Sequence, residues 1–299
     1  MTKYHSELEK LETARRQALG AFLRQRREKV KPEDFGVLVT GRRRTPGLRR
    51  EELAQIAGVS VSWYTWLEQG RPISVSDEVL NSIATVLVFD KAEKDYLFEL
   101  AKNQPIPELG KLNHPKREDV QAILDSFGDN PAYIIDSCWN LVAGNQNAYK
   151  LFVSPNITSY DTLPWQEKNL IWTMFTNPYQ KELMVEWQAE ARRSVALFRY
   201  SSRSYVGENW YNEFIEQLKI VSTDFGEWWQ NYDIEPPKSK HKKLYHPIVG
   251  NLTLDVTTLL LPAYPDTQLV VYLGIEKETI VKLTELSKIP NNTETITKS

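Results

Sequence analysis

Three consecutive arginines, Arg42, Arg43 and Arg44, sit between Gly41 and Pro46 and form the longest unbroken run of positive charge in the chain. Guanidinium groups on a Gly/Pro-bounded loop suit phosphate clamping or insertion into a minor groove, and they also suit a solvated charge run. Arg49 and Arg50 follow closely, and Arg50 opens a helical pattern, where a cation opposes the helix dipole and so points to a nearby anion. The charge around these residues is lopsided. Residues 15–71 hold thirteen Lys/Arg against six Asp/Glu, whereas residues 72–299 hold twenty-two against thirty. A basic segment joined to an acidic remainder is expected when one part of a chain meets a polyanion and the rest does not. Charge alone leaves nucleic acid and a membrane surface equally open.

Other chemistry is poorly supplied. The four histidines, His5, His114, His241 and His246, have no zinc-ligand spacing, and Cys138 is the single cysteine, so neither a disulfide within the chain nor a thiolate metal cluster is expected. Cys138 reads as a small buried hydrophobe. No Gly-x-Ser-x-Gly, P-loop or Gly-x-Gly-x-x-Gly occurs. The expectation is a protein without catalytic residues, metal or resident cofactor. No run approaches the roughly 20 apolar residues of a membrane span, and the polar start from Met1 to His5 lacks a signal-peptide core, which predicts a cytoplasmic protein without membrane insertion.

The basic residues need elements to position them, and residues 49–70 provide the clearest. Ala54 is the small residue required where two helices cross steeply, and Gly58 suits a left-handed end to the first helix. Val59 plugs the core, and Ser60 is an N-cap for a second helix. Tyr64 and Leu67 share a face with Val59, leaving Val61, Ser62, Trp63, Thr65 and Trp66 for the other. This is the pattern of a helix-turn-helix, whose second helix lays its N-terminal residues against base edges in the major groove. The predicted DNA-binding residues are therefore Arg42, Arg43, Arg44, Arg49, Arg50, Val61, Ser62, Trp63, Thr65 and Trp66. Arg27 and Glu68 are candidates for an internal ion pair between the first and reading helices.

Around this motif, Leu19, Phe22, Leu23 and Val30 give an earlier amphipathic helix. Ser76 caps one later helix, and Asp90 with Glu93 forms a capping box for another. Three prolines without periodicity between Asn103 and Pro115 mark a linker. The expected organisation is an all-α DNA-binding domain over residues 1–104, a linker at 105–115, a second domain over 116–289 and a disordered tail at 290–299. In the second domain, Ala132–Ile135 and Cys138–Ala143 read as a hairpin around Asp136-Ser137. Helical patterns fill much of 165–231, and alternation at Leu252, Leu254 and Val256 and at Leu269, Val271 and Leu273 predicts late strands completing an antiparallel sheet. The fold class is α+β.

The segments Leu19–Arg24, Arg42–Glu52 and Leu67–Arg71 resemble the XRE-type helix-turn-helix of MmyB-like transcription regulators. The resemblance continues through Pro131-Ala132-Tyr133, Asn145–Phe152, Ser222-x-x-Phe225-x-x-x-Trp229 and His246–Leu254, so that it covers nearly the whole chain. Ile248 departs from a common Glu in that family, and Trp63 from a frequent Tyr. The resemblance implies a PAS-like second domain that takes a fatty-acyl or similar lipophilic effector. Aromatic residues are dense beyond the linker, and most of them suit core packing, although ligand pockets share such linings. The candidate ligand residues are Trp139, Asn145, Phe175, Trp187, Arg199 and His246, with Arg199 favoured for a carboxylate because a guanidinium binds one bidentately. A protein-interaction or dimerisation module without ligand is the alternative for this domain. One reading helix covers too few base pairs to find a site in a genome, which predicts a homodimer on a two-fold operator.

Overall fold

The computed structural model describes residues 2–37, 46–101, 115–154, 157, 160, 162–236 and 240–290. Arg42, Arg43 and Arg44, most of the expected linker and residues 291–299 of the expected tail lie outside these. Two compact units are present. The first comprises residues 1–107, 199–220 and 226–236, and the second 108–198, 221–225 and 237–299.

The chain opens with α1 (Thr2–Lys29), α2 (Arg50–Ala57), α3 (Val61–Glu68), α4 (Asp77–Val86) and α5 (Lys91–Ala101). Local chemistry sets their ends. The Ser60 hydroxyl accepts from Trp63 N, the Ser76 hydroxyl from Val79 N, and Asp90 and Glu93 exchange two 2.9 Å bonds as a capping box. Helix α2 ends at Gly58, whose φ of 70° is left-handed; a side chain there would meet nothing, so the glycine serves the backbone conformation alone. Helix α1 extends far N-terminal of the apolar stripe that signals it in sequence. Arg15, well before that stripe, is buried and donates to Ser204 O at 3.1 Å and Val206 O at 3.3 Å.

Leu19, Phe22, Leu23, Leu53, Ala54, Tyr64, Leu67, Ile83 and Leu97 are buried together in the core of this unit. Phe22 packs 5.1 Å from the rings of both Phe89 and Tyr96. Ile234, distant in sequence, belongs to the same core, with Tyr200, Val206 and Tyr232 packed on it.

The remaining helices are α6 (Arg117–Asp125), α7 (Gln146–Phe152), α8 (Leu170–Thr176), α9 (Pro178–Leu183), α10 (Trp187–Ser201), α11 (Asn209–Val221), α12 (Thr223–Gln230) and α13 (Lys277–Lys288). The strands are β1 (Ala132–Asp136), β2 (Leu141–Gly144), β3 (Lys240–His246), β4 (Gly250–Leu261) and β5 (Tyr264–Gly274). They form one antiparallel sheet in the order β2-β1-β5-β4-β3, and the fold is α+β. Ala132, Ile134, Leu269 and Val271 share one sheet face and bury it under Val120 and Leu124 of α6.

Two features differ from sequence expectation. The second hairpin strand begins at Leu141 instead of Cys138, because the Asp136 carboxylate captures the amides of Cys138 and Asn140 at 2.8 and 2.9 Å and holds the chain in a turn. Within that turn Trp139 adopts a φ of 64°. Strand β3 carries no alternation signal in sequence although its burial alternates, since the inward positions Lys242 and His246 are as polar as the exposed ones.

Candidate functional site

Helix α3 presents two contrasting arcs. Tyr64, Leu67 and Glu68 are buried against the core, whereas Val61, Ser62 and Trp66 face solvent and Thr65 is half-exposed between them. Trp63 is half-buried and packs against the core cluster. The structure thus brings Val61, Ser62, Thr65 and Trp66 onto one accessible face, with Trp63 at its inner margin. The Arg71 guanidinium sits 5.7 Å from the centre of the Trp66 ring.

Helix α2 leads into that face from its N-terminus. Arg49 is exposed at the N-cap position, its amide donating to the Glu52 carboxylate at 2.7 Å. Arg50 is partly exposed and already faces an anion: its Nε donates to Glu68 Oε2 at 2.7 Å. Arg27 binds the same carboxylate in a fork, with Nε to Oε1 at 2.6 Å and Nη2 to Oε2 at 3.1 Å, while its Nη1 donates to Leu48 O at 2.7 Å. Burial alone would raise the Glu68 pKa, but the hydrogen bonds and charge of Arg27, with the bond from Arg50, bring it below the usual carboxylate value. The same pairing outweighs the effect of burial on Arg27 and raises its pKa. The Arg27–Glu68 pair therefore exists, and it ties α1 to the end of α3. Close approach makes this possible: a Cβ on Gly20 would lie 2.4 Å from the Glu68 carbonyl oxygen.

The candidate ligand residues occupy several separate environments. Asn145 is fully engaged in structure. Its Oδ1 accepts from Ala132 N at 3.1 Å and Ala148 N at 2.9 Å, and its Nδ2 donates to Asn130 O at 2.8 Å and Leu124 O at 3.3 Å. His246 is buried, with Nδ1 accepting from Ile248 N and Val249 N and Nε2 donating to Lys150 O at 3.3 Å. Burial lowers its pKa and keeps the imidazole neutral. Phe175 meets Trp187 and Phe225 edge-on at 5.9 and 5.3 Å, and the Trp187 indole donates to Met174 O at 3.0 Å. Trp139 packs edge-on against Phe198 at 5.8 Å.

Arg199 differs from all of these. It is 3% exposed, and its guanidinium carbon lies 3.8 Å from the Trp229 ring centre and 4.4 Å from that of Tyr232. One nitrogen, Nη2, donates to the Trp229 carbonyl, and Nε has no hydrogen-bond partner among the described residues. No carboxylate among them pairs with it.

A further polar cluster was not legible in sequence. The hydroxyls of Tyr133 and Tyr272 meet at 3.1 Å between β1 and β5, and Lys242 on β3 lies 3.6 Å from Glu190 and 5.9 Å from the Tyr272 ring. Alternation along β5 could have put Val270 and Tyr272 on one face, but nothing local marks Lys242 as their neighbour. Burial drives the Tyr133 hydroxyl well above the ordinary tyrosine pKa and that of Tyr272 up to about 12, so both stay protonated. An open cleft of about 350 Å³ on the first unit is lined by polar groups, among them Gln17, Arg24, Gln25, Glu28 and Gln69, and does not suit an acyl chain. Cys138 is buried, and burial pushes its thiol pKa up. Among the described residues, no set of three or more His, Cys, Asp or Glu side chains could hold a metal ion, and no helix is long and apolar enough to cross a membrane.

Two family models match the chain. One, described as the MmyB-like transcription regulator ligand binding domain, matches residues 117–276, and the other, a helix-turn-helix domain, matches residues 18–97. No curated protein matches.

Proposed function

The chain belongs to the MmyB-like transcription regulators, with a helix-turn-helix DNA-binding domain and a ligand-binding domain, and on that premise we propose that it is a cytoplasmic homodimer that regulates transcription in response to a fatty acid. In this proposal residues 1–104 bind the operator, 105–115 link the domains, 116–289 hold the effector and 290–299 form the tail. The α3 face of Val61, Ser62, Thr65 and Trp66, with Trp63 at its margin, reads bases, while Arg42, Arg43, Arg44, Arg49 and Arg50 contact the phosphate backbone. Arg50 does so with the nitrogens that Glu68 leaves free.

Arg199 carries the choice of a carboxylate ligand. A buried guanidinium without a carboxylate is costly, and stacking on Trp229 and Tyr232 offsets only part of that cost. A ligand carboxylate would supply the missing charge and a partner for Nε. Trp139, Phe175 and Trp187, in the second unit, remain candidate apolar contacts for an acyl chain, whereas Asn145 and His246 are engaged in the structure of that unit.

Calorimetry with saturated fatty acids of graded length tests this reading. Affinity should rise by about 0.8 kcal/mol per methylene buried, and the bound acid should shift operator affinity, because a ligand with equal affinity for both conformations moves neither. Absence of binding across the series would favour a protein-interaction module. Binding without an operator shift would make the lipid a structural component. Sedimentation of the protein on its operator tests the dimer, and a single protomer on one half-site would refute it.

A further inference from the structure

We propose that the reading helix recognises its operator chiefly through thymine C5-methyl groups, with Val61 and Trp66 as the apolar contacts and Thr65 between them. The inference rests on the assignment of α3 as the reading helix. It starts from an inverted surface. Helix α4 shows solvent a polar arc of Asp77, Glu78, Asn81, Ser82 and Thr85, as a surface helix should. Helix α3, in the same unit, exposes Val61 at 40% and Trp66 at 42%.

Electrostatics points the same way. From Glu51 to Gly70 there is no Lys or Arg, so α3 lacks the side chains that make the bidentate contact to guanine O6 and N7. The nearest following cation, Arg71, has its guanidinium over the Trp66 ring. Arg50 directs its Nε to Glu68. What the face does offer is the isopropyl group of Val61, the methyl and hydroxyl of Thr65, the hydroxyl of Ser62 and the indole of Trp66. In the major groove only thymine presents a methyl group, and apolar side chains distinguish it by contact. Ser and Thr hydroxyls accept or donate to several bases and add little discrimination by themselves. Val61 stands in the first turn of α3, just after the Ser60 cap, where reading helices approach base edges most closely.

The test uses the full-length protein and an operator obtained by selection from random duplexes. Each thymine of that operator is replaced in turn by deoxyuridine, which removes the methyl and leaves base pairing intact. Affinity should fall about fourfold at each contacted thymine, the factor that burial of one methyl-sized group corresponds to, and should not change at thymines elsewhere. Val61→Ala should abolish the deoxyuridine effect at one position of each half-site, and Trp66→Ala at another, with far-ultraviolet circular dichroism confirming that both variants fold. Normal affinity for fully deoxyuridine-substituted operator overturns the inference, as does a selected operator with G·C pairs throughout the contacted positions. Failure of selection to recover any duplex overturns the DNA reading itself, and the inference falls with it.

Discussion

Arg27 and Arg199 are both buried arginines, and their surroundings could hardly differ more. Arg27 spends every nitrogen: two on Glu68, one on the Leu48 carbonyl. Arg199 has two aromatic rings, one carbonyl and an unpartnered Nε. A closed network of opposite charges fixes geometry, here the contact between α1 and the C-terminal end of α3. A cation left without an anion stays receptive to one. The contrast teaches that burial of a charge does not by itself mark a binding site; whether its partners satisfy it must be read as well.

The largest effect should come from breaking the closed network. Glu68→Ala leaves Arg27 buried and uncompensated, and should cost about 3–5 kcal/mol in urea unfolding. The double variant Arg27→Met, Glu68→Leu should recover most of that loss, because replacing both charges by packed apolar groups is far cheaper than orphaning one. The same pair predicts a pH response. The Glu68 pKa is lowered in the folded state, so its stabilisation is complete above the ordinary carboxylate value and disappears as pH falls through the lowered one. Glu68→Gln should flatten that acid limb.

A smaller loss is expected when the network is displaced without being broken. Gly20→Ala places a methyl group against the Glu68 backbone carbonyl, and the helices must separate. Overpacking of this kind should cost about 1–3 kcal/mol. Unchanged stability and DNA affinity would show that the α1–α3 spacing is not what holds the pair.

Arg199→Met tests the other arm of the comparison. Stability should move by about 1 kcal/mol or less, since no ion pair is lost and the stacking contacts are modest. Binding of a fatty acid should weaken about tenfold or more relative to the matching alcohol, because only the acid loses a charge-assisted pair. Equal weakening of acid and alcohol in calorimetry would mean that Arg199 is a packing element like Asn145.

The smallest effect concerns His246, a polar group satisfied as fully as Arg27 but without charge. Burial lowers its pKa, so folding favours the neutral ring. Its contribution is complete above about 6.5, the ordinary value, and declines as pH drops toward the lowered folded one. Thermal midpoints measured across this window should fall with acidification, and His246→Gln should reduce the slope. A slope unchanged in that variant would assign it to other groups.

Short-range chemistry was legible in the residues themselves. Ser60, Ser76 and the Asp90–Glu93 box cap helices because a side-chain oxygen three positions from an orphan amide needs no distant partner. Gly58 is left-handed for reasons internal to its own backbone. Val61, Ser62 and Trp66 face solvent because Tyr64 and Leu67 must face the core, and helical periodicity leaves no other arrangement. The late strands showed their period of two where the buried face is apolar. Strand β3 did not, because its inward face is built from Lys242, Leu244 and His246, so that burial alternates while hydrophobicity does not.

What only tertiary structure decided were the pairings between residues far apart in the chain. Residue type and spacing named Arg27 and Glu68 as possible partners; Gly20 lets α1 come close enough for them to meet, and the fold then brings Arg50 onto the same carboxylate. The same holds for the Tyr133–Tyr272 contact, the proximity of Lys242 to Glu190, the place of Ile234 in the helix-turn-helix core and the isolation of Arg199 between two rings. Periodicity can say which face of an element is buried, because that depends on its own neighbours. It cannot say which distant side chain completes a charge or leaves it open, because that depends on how the elements pack.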